Sequence, residues 1–446
     1  MKGPLQLACW LALGILATPC LAEEKLTPAQ EARRTPIVDV VRRTRDAVVN
    51  ISATQVYETT VGVSIWDEFF GLPRRRPQTR RYERTSIGSG FVIHPEGYIV
   101  TNAHVVSQAA KLKAIFADKT EFEAEQVGID ERHDLAVLKI NADRPLPALT
   151  LGRSDDLMIG ETVIAIGNPL GYQHTVTSGI ISALDREVPL NEDITYRHLI
   201  QTDASINRGN SGGPLLNIAG ELIGINTAVR GDAQNIGFAI PVDALRKLLP
   251  QILSIEHGPK RLEVGIRLSW RQKLRVVEAH GPAAEAGIEA GDELVSVDGR
   301  PLKSDLDFYI YLLHLRPDDR LVVETRRDGK LQKHTIRPRP VPIPDGARLM
   351  REKFGLVVRL LTPAEARQLD IRGGLIVTSV EPNSPAARAG FERGMVVFQV
   401  GQFFPTDLDQ LGLLLENVAP GDKLMFRLLR ITRDYLQAYA VQLTAR

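Results

Sequence analysis

Cysteine is almost absent from this sequence. Its 446 residues include two cysteines, Cys9 and Cys20, and both lie near the start of the chain. A disulfide framework is therefore excluded for the remaining residues, and hydrophobic cores must stabilise the fold. The composition allows such cores, because 43% of the residues are hydrophobic and 24% are charged. At roughly 100 to 200 residues per domain, the length predicts about three domains.

An excess of charge of one sign is lacking as well. Lys and Arg number 55 against 54 Asp and Glu, so no bulk charge attracts the chain to nucleic acid or to an anionic membrane. No apolar run approaches the ~20 residues of a membrane-spanning helix. The sequence also has no HExxH motif, no P-loop and no dinucleotide-binding glycine fingerprint. It therefore implies no metal and no cofactor.

The first residues have the features of an export signal. Lys2 gives a positive start, residues 5–17 form an apolar run, and residues 20–22 provide a small-x-small cleavage site. Residues 1–22 are therefore predicted to be a cleaved secretory signal peptide, which makes the mature chain a soluble, exported protein. A lipoprotein anchored at Cys20 is the alternative, and the proline directly before that cysteine disfavours it.

From about residue 48 to residue 240, short β-rich runs alternate with glycines and prolines. This spacing predicts β-barrels or sandwiches rather than alternating strands and helices. A helix capped by Thr35, with Pro36 in its first turn, precedes the runs, and a second helix follows over residues 242–253. The clearest β-rich runs are residues 48–52, 90–93, 135–140, 162–167 and 221–225.

The last part of the chain contains an internal repeat. GPAAEAGIEAG at residues 281–291 returns as SPAARAGFERG at residues 384–394. Downstream of each copy, Ser304 and Thr406 precede Asp-Leu-Asp, which predicts a helix with a hydroxyl cap and an acidic first turn. Two copies of a unit of about 90 residues therefore follow the β-rich part, joined by a proline-rich spacer.

A serine between glycines is the strongest chemical signal. Ser211 lies in GNSGGP at residues 209–214, where small neighbours allow backbone N–H groups to converge. A serine hydroxyl becomes a strong nucleophile only when an imidazole accepts its proton and a third group fixes the imidazole. His104 and Asp134, each at the edge of a predicted strand, are the candidate partners. In the order His, Asp, Ser they match a known chain order of the catalytic triad.

Each of these three residues also has a simpler interpretation. A glycine-flanked serine is commonly part of a turn, a histidine is often a hydrogen-bonded core residue, and an aspartate often caps a turn. The sequence has nine histidines, and the rivals of His104 for the role of base include His94, His133, His174 and His198.

Seven motifs accompany these residues: GSGFVI at 88–93, GYIVTNAHVV at 97–106, DLAVLKI at 134–140, IAIGNP at 164–169, QTD at 201–203, GNSGGPL at 209–215 and IGFAIP at 236–241. Together with the repeats, they resemble the HtrA family of Do-type, DegP-like serine endoproteases, over about residues 36–446. The resemblance implies a mainly β fold, in which a chymotrypsin-like double β-barrel is followed by two PDZ domains of α+β type. The expected domains are a signal peptide at 1–22, a trypsin-like serine protease domain at 35–255 and PDZ domains at 259–340 and 350–446.

The resemblance also implies roles for individual residues. His104 is the general base, Asp134 orients it, and Ser211 attacks the peptide carbonyl. The backbone N–H groups of Gly209 and Ser211 form the oxyanion hole, worth about 3 to 4 kcal/mol per donor in comparable enzymes.

Substrate preference follows from the residues before the nucleophile. In chymotrypsin-like enzymes the floor of the specificity pocket corresponds to Ser205 here, which is not a carboxylate, and Ile206 lies beside it. We therefore expect cleavage after small or medium aliphatic residues rather than after Arg or Lys. The substrate backbone is expected to pair with the strand around Asn226, Thr227 and Ala228.

The two PDZ-like units are expected to bind extended C-termini by strand addition, with a loop of free N–H groups for the carboxylate. In the first unit the loop contains Val264, Gly265 and Ile266, beside a helix over 304–315. The corresponding parts of the second unit are the loop 353–356 and the helix 406–418. The alternative for either unit is a structural or assembly module.

Residues 57–85 are predicted to be an insertion between strands. It contains Phe69, Phe70 and an arginine-rich run with a single glutamate, whose charged residues are Arg74, Arg75, Arg76, Arg80, Arg81, Glu83 and Arg84. One interpretation is a solvated loop. The other follows the family, in which the corresponding loop reaches across a neighbouring active site and restrains it in the resting oligomer.

The sequence therefore predicts an ATP-independent serine endopeptidase of the periplasm, acting on unfolded or damaged proteins through an acyl-enzyme. C-terminal peptides are its expected partners at the first PDZ domain, and the resemblance implies a homotrimer or a larger homo-oligomer. Two alternatives stay open. One is a chaperone-like or PDZ peptide-binding protein with an idle protease domain, and the other is a regulatory protease with one native substrate.

Overall fold

The computed structural model describes residues 27–61, 78–107, 109–168, 174–189, 195–207, 209–227, 235–254, 260–369, 371, 373–401, 403–431 and 436–446. Of residues 56–61 and 78–84 it describes the backbone alone. The predicted signal peptide, Phe69, Phe70 and Ala228 lie outside the described residues.

Two closed six-stranded barrels form the part of the chain that carries the triad motifs. The strands of the first are β1 Val48–Val61, β2 Gln78–His94, β3 Tyr98–Thr101, β4 Lys111–Ile115, β5 Glu121–Asp130 and β6 Leu135–Ile140. Those of the second are β7 Thr162–Gly167, β8 Thr175–Pro189, β9 Thr195–Thr202, β10 Pro214–Asn217, β11 Leu222–Thr227 and β12 Gly237–Pro241. They close in the orders β1-β2-β3-β6-β5-β4 and β10-β11-β12-β9-β8-β7. The predicted mainly β, chymotrypsin-like double barrel is confirmed.

The hydrophobic runs of the sequence form the barrel interiors. Every residue of β6 except Lys139 is buried, and β7 is buried from its second residue onward. Burial on both faces explains why these segments are continuous apolar runs rather than alternating ones. Inside the second barrel, Val163, Ile181 and Leu215 belong to one apolar cluster.

In the described part of the chain, four helices flank the barrels, and the sequence predicts two of them, the one that begins at Pro36 and the one that begins at Val242. They are α1 Pro28–Glu31, α2 Pro36–Thr44, the short α3 Ala103–Val106 and α4 Val242–Ile252, with a 3-10 turn at Arg45–Ala47. The hydroxyl of Thr35 accepts the N–H of Val38, as the sequence predicts for α2.

The first repeat unit is built from short strands and two helices. Its elements are β13 Leu262–Glu263, β14 Ile266–Leu268, β15 Val276–Ala279, α5 Gly281–Glu285, β16 Glu293–Val297, β17 Arg300–Pro301, α6 Asp305–Leu313, β18 Leu321–Arg327, β19 Lys330–Ile336 and β20 Arg339–Pro340. The pairs β13-β20 and β14-β15 accompany a four-stranded sheet in the order β17-β16-β18-β19.

The second repeat unit forms one sheet of five strands in sequential order, β21 to β25. Its elements are α7 Gly346–Phe354, β21 Leu356–Leu360, α8 Pro363–Gln368, β22 Leu375–Val380, α9 Pro385–Arg388, β23 Val396–Val400, α10 Leu408–Glu416, β24 Lys423–Ile431 and β25 Leu436–Thr444. Its apolar core is separate from that of the barrels and the first unit.

One of the two predicted hydroxyl caps is wrong. Ser304 caps α6 in a reciprocal capping box with Asp307. In the second unit, however, α10 begins at Leu408, and Asp407 rather than Thr406 is its cap. The carboxylate of Asp407 accepts the N–H of Asp409. An aspartate caps a helix as well as a hydroxyl does, so the residue type alone does not select the position.

The predicted insertion is also shorter than expected. The pairing of β1 with β2 is continuous from Val48 opposite Phe91 to Val61 opposite Gln78. The segments 57–61 and 78–85 are therefore strand, and the threonines and tyrosines in them favour that conformation.

Candidate active site

The register of the first barrel brings His104 and Asp134 together. Strands β3 and β6 are antiparallel, with Thr101 opposite Ala136. His104 follows the end of β3 and Asp134 precedes the start of β6, so both lie at the same edge of the barrel. Asp134 has a left-handed backbone conformation, with φ 55°, which aspartate tolerates in tight turns.

Three short contacts join His104 to Asp134. The Nδ1 atom lies 2.9 Å from each carboxylate oxygen, and the backbone N–H of His104 donates to Oδ1, also at 2.9 Å. The Asp134 side chain is 1% exposed and that of His104 is 46% exposed. The buried carboxylate favours the tautomer with hydrogen on Nδ1, which leaves Nε2 as a hydrogen-bond acceptor.

Ser211 reaches this imidazole from the second barrel. It lies in the loop before β10, is buried, and has its Oγ 3.1 Å from Nε2 of His104. Its Oγ also lies 3.1 Å from Oδ1 of Asn102. His104 thus contacts both Asp134 and Ser211, and the contact with Ser211 crosses the boundary between the barrels.

Two further side chains support this arrangement, and the sequence did not predict that role for either of them. Asn102 donates from Nδ2 to the backbone carbonyl of Asp134 at 3.0 Å. Thr227 donates its hydroxyl to Oδ2 of Asp134 at 3.2 Å. Asn102 therefore links the serine to the aspartate backbone, and Thr227 holds the aspartate carboxylate.

Ser89 ties the loop of Ser211 to the first barrel. Its N–H donates to the carbonyl of Ser211 at 2.8 Å, and its hydroxyl donates to the carbonyl of Gly209 at 2.5 Å while accepting the N–H of Asn168 at 2.8 Å. Gly212 has φ 81°, and a Cβ there would lie 2.3 Å from the Ser89 carbonyl. Position 212 therefore requires glycine, because a side chain there would collide with the backbone of residue 89.

Two backbone N–H groups of the loop remain available. Among the residues that the structure describes, the N–H groups of Gly209 and Ser211 donate no hydrogen bond. Both groups belong to the loop that Ser89 fixes, so a substrate oxygen is a suitable acceptor for them.

The residues expected at the specificity pocket lie beside the loop. Ser205 is exposed, and its carbonyl accepts hydrogen bonds from Thr177 and Asn210. Ile206 is half-buried, and a Cβ on Gly237 would lie 2.5 Å from its Cγ1 atom. The pocket role of Ser205 and Ile206 stays a prediction.

The strand expected to receive the substrate backbone is β11. Asn226 and Thr227 pair there with Ala239 and Phe238 of β12. The Asn226 amide donates to the carbonyl of Pro214 at 3.0 Å, and its side chain is buried. Pairing of a substrate with this strand stays a prediction.

The four histidines named as rivals of His104 contact other groups. His133 and His198 contact Asp130 and Asp185, and His174 contacts the carbonyl of Val48. His94 contacts Asp307 of the first repeat unit. Within the described residues, His104 is the histidine that lies within hydrogen-bond distance of a serine hydroxyl in this loop.

The peptide-binding loop predicted for the first repeat unit lies directly before β14, which contacts α6. Gly265 has φ 82°, and a Cβ there would lie 2.0 Å from the carbonyl of His280, so the loop before β14 requires glycine. Tyr309 of α6 accepts the N–H of Leu268 at 3.0 Å. Burial raises the pKa of the Tyr309 hydroxyl to about 12, so it stays protonated. The sequence analysis did not identify this contact.

Family comparisons agree with this architecture. A trypsin-like peptidase domain matches residues 88–225, and a PDZ domain matches residues 263–337. Across the described residues, the helices are all too short or too polar to cross a bilayer.

Full-length relatives are similar along nearly the whole chain. A probable periplasmic serine endoprotease, DegP-like, from Halomonas elongata is 33% identical, with 97% of each chain covered. The protein of the same description from Pseudomonas fluorescens is 32% identical over 93% of this chain and 95% of its own. Among solved structures, the HtrA-type protease AlgW with tripeptide is 34% identical over 69% of this chain and 98% of its own, with a TM-score of 0.40.

Proposed function

We propose that this chain, which belongs to the HtrA family of DegP-like serine endoproteases, cleaves peptide bonds with a triad of His104, Asp134 and Ser211. The observation that carries the proposal is the position of the Ser211 hydroxyl, 3.1 Å from Nε2 of an imidazole whose Nδ1 contacts a buried carboxylate. An imidazole in that tautomer is the base that a serine nucleophile requires.

The reaction proceeds in two halves. His104 takes the hydroxyl proton as Ser211 Oγ bonds to the carbonyl carbon, and it then gives that proton to the leaving amine as the C–N bond breaks. A water molecule next gives a proton to His104 and attacks the acyl-enzyme, and the proton returns to Ser211 as the ester bond breaks. Asp134 stabilises the imidazolium that exists in both halves.

The oxyanion of each tetrahedral intermediate binds to the N–H groups of Gly209 and Ser211. Each donor contributes about 3 to 4 kcal/mol when it is aligned with the developing charge. Ser89 supports this alignment, because it bonds to the carbonyls of both residues.

The substrates are unfolded or damaged proteins, cut after small or medium aliphatic residues. Ser205 and Ile206 place no carboxylate in the pocket that would attract Arg or Lys, and the backbone of residues 226–228 receives the extended substrate. Mapping the cleavage sites in an unfolded protein tests the preference, and a majority of cuts after basic residues would contradict it.

The repeat units give the enzyme a second site for binding peptides. We assign domain boundaries of 35–255 for the protease and 259–340 and 350–446 for two PDZ domains. Val264, Gly265 and Ile266 of the first PDZ domain bind the carboxylate of a C-terminal peptide. The enzyme works as a homotrimer or a larger homo-oligomer, and size-exclusion chromatography with light scattering tests that statement.

Export places the enzyme in the periplasm. Residues 1–22 direct it there and are removed, which gives a mature protein that begins at Glu23. The relatives from Halomonas and Pseudomonas are described as periplasmic. Mass spectrometry of the N-terminus in a periplasmic fraction tests both statements.

A comparison of wild type with Ser211→Ala tests the enzyme function against an idle protease fold. Casein cleavage and suppression of aggregation are measured on the same samples. We expect the variant to lose cleavage and to keep its ability to bind unfolded protein. A wild-type protein that suppresses aggregation and never cleaves would overturn the proposal.

A further inference from the structure

A cavity of about 500 Å³ lies between the protease domain and the first PDZ domain. Residues 149–155 and helix α4 form one wall, and residues 268–273 with the start of α6 form the other. Leu268 and Tyr309, which close the edge of the PDZ groove, both line the cavity as well. The cavity therefore begins where the groove ends.

Contacts between the domains hold these walls in place. His94 Nε2 lies 3.0 Å from Oδ1 of Asp307, at the start of α6. The ammonium group of Lys247 on α4 lies 4.6 Å from the ring centre of Trp270 in the β14–β15 turn. The protease domain thus contacts the first PDZ domain beside the cavity.

The orientation of β14 determines the direction in which a bound peptide runs. The carbonyl of Gly265 and the N–H of Ser269 pair with β15, so the N–H of Leu268 faces the opposite edge, where Tyr309 accepts it. A peptide added to that edge has its C-terminus at the loop before Ile266 and runs antiparallel to β14. Its residues about three to five positions before the end then pass Leu268 and enter the cavity.

The cavity carries an excess of positive charge. Four cations that line it have no carboxylate within ion-pair distance among the described residues, and they are Arg246, Arg271, Lys273 and Lys303. A fifth cation, Arg153, pairs with Asp155.

Three carboxylates also line the cavity, namely Asp155, Asp243 and Asp305, so its five cations outnumber them by two. Asp243 is buried and accepts the backbone N–H of Ser154. The carboxylate of Asp305 accepts the backbone N–H of Leu274 at 2.5 Å, and burial raises its pKa above the usual value. The unpaired cations therefore come from both domains, with Arg246 on the protease wall and the other three on the PDZ wall.

We propose that this cavity is a subsite for acidic residues that lie about three to five positions before the C-terminus of a peptide bound in the first PDZ groove. The inference rests on the proposed capture of C-termini by that groove. The ligand class is a peptide with a free carboxylate, an apolar last residue and Asp or Glu upstream. The protease domain helps to select the peptide, because Arg246 and Arg153 form part of the subsite.

The test uses the full-length Ser211→Ala protein and fluorescently labelled peptides of about ten residues. The peptides share an apolar free C-terminus and differ only at the upstream positions, which carry Glu, Ala or Lys. We expect the Glu peptide to bind about three- to tenfold more tightly than the Ala peptide, and the Lys peptide more weakly than both. The difference should shrink at about 0.5 M NaCl, because salt screens partly exposed charges.

Charge reversal in the cavity provides the matched variants. Lys273→Glu and Lys303→Glu, both at exposed positions, should remove the preference for the Glu peptide. Lys330→Glu makes the same change at an exposed position of the same domain outside the cavity and should leave the preference intact. Arg246→Gln should also reduce the preference, with thermal unfolding measured alongside because Arg246 donates to two backbone carbonyls.

The outcomes separate the two proposals. Equal binding of the Glu, Ala and Lys peptides, with amidated versions of each binding more weakly, would overturn the acidic subsite and leave C-terminal capture in place. Equal binding of free and amidated peptides would overturn C-terminal capture itself. A preference for Glu that survives both lysine reversals would also contradict the subsite, because its location would be wrong.

Discussion

Removal of the Ser89 hydroxyl should perturb the geometry around Ser211 without changing Ser211 itself. This hydroxyl is completely buried, donates to the carbonyl of Gly209 at 2.5 Å and accepts the N–H of Asn168 at 2.8 Å. Ser89→Ala leaves both backbone groups without these partners. At about 1 to 3 kcal/mol for each buried polar group that loses its partner, we expect a loss of about 2 to 6 kcal/mol in the free energy of unfolding.

The same change should slow the chemical step. Gly209 and Ser211 supply the N–H groups of the proposed oxyanion hole, and complete loss of one donor costs about 10²- to 10³-fold in kcat in comparable enzymes. Because Ser89→Ala loosens the loop and removes no donor, we expect kcat to fall about 10- to 100-fold. KM should change little, since the loop acts on the transition state.

Steady-state hydrolysis of a peptide substrate, below the temperature at which the variant unfolds, separates the two effects. Ser86→Ala, on the same strand and half-buried, is the matched control and should keep both kcat and stability near wild type. If Ser89→Ala loses stability while kcat stays at the wild-type value, the serine supports the fold alone and the positioning argument is wrong.

Three further changes follow from contacts of the described residues. Tyr309→Phe removes the acceptor of the Leu268 N–H, so a bound peptide no longer has to displace the Tyr309 hydroxyl. Fluorescence anisotropy should show about three- to tenfold tighter binding of C-terminal peptides. Weaker binding would contradict this. Asp292→Asn removes the charge of a buried carboxylate that pairs with the half-buried Arg327, and it should lower the midpoint of denaturant unfolding. Burial opposes ionisation of Asp292, but the hydrogen bonds from Arg327 and a backbone N–H outweigh it and lower its pKa. The stabilisation from ionised Asp292 is therefore present above the ordinary carboxyl pKa of about 4 and is lost as the pH falls through the lowered pKa. Wild type should lose more stability on acidification than Asp292→Asn. Equal losses would refute the assignment. Asp134→Asn should lower kcat about 10⁴-fold, and a smaller effect than about tenfold in kinetic assays would exclude its orienting role.

Local signals in the sequence predicted the elements that local chemistry determines. The cap at Thr35 and the strand at 162–167 are both where the sequence places them, because a helix cap and a short apolar run each involve neighbouring residues. Local chemistry also explains the errors. At residues 406–407 a threonine and an aspartate are both good caps, and the backbone of the surrounding fold selected the aspartate.

The candidate site depends on contacts between residues that are far apart in the sequence. The three triad positions were predicted because motifs and their chain order pointed to them, and the structure places them within hydrogen-bond distance of one another. Ser89 lies 120 residues from Gly209, its hydrogen-bond partner, and no periodicity or spacing links the two. Asp307 contacts His94 across the domain boundary in the same way, 213 residues apart. Such contacts depend on the register of β-strands and on domain packing, which a single sequence does not specify.

The most direct measurement of the central claim is labelling of the intact protein with a fluorophosphonate probe, followed by mass spectrometry to locate the adduct. An activated serine reacts with the probe, whereas an ordinary hydroxyl does not. We predict one modified residue, Ser211, with labelling strongly reduced in His104→Ala. A folded wild-type protein that takes up no probe, or takes it up at another serine, would contradict the account.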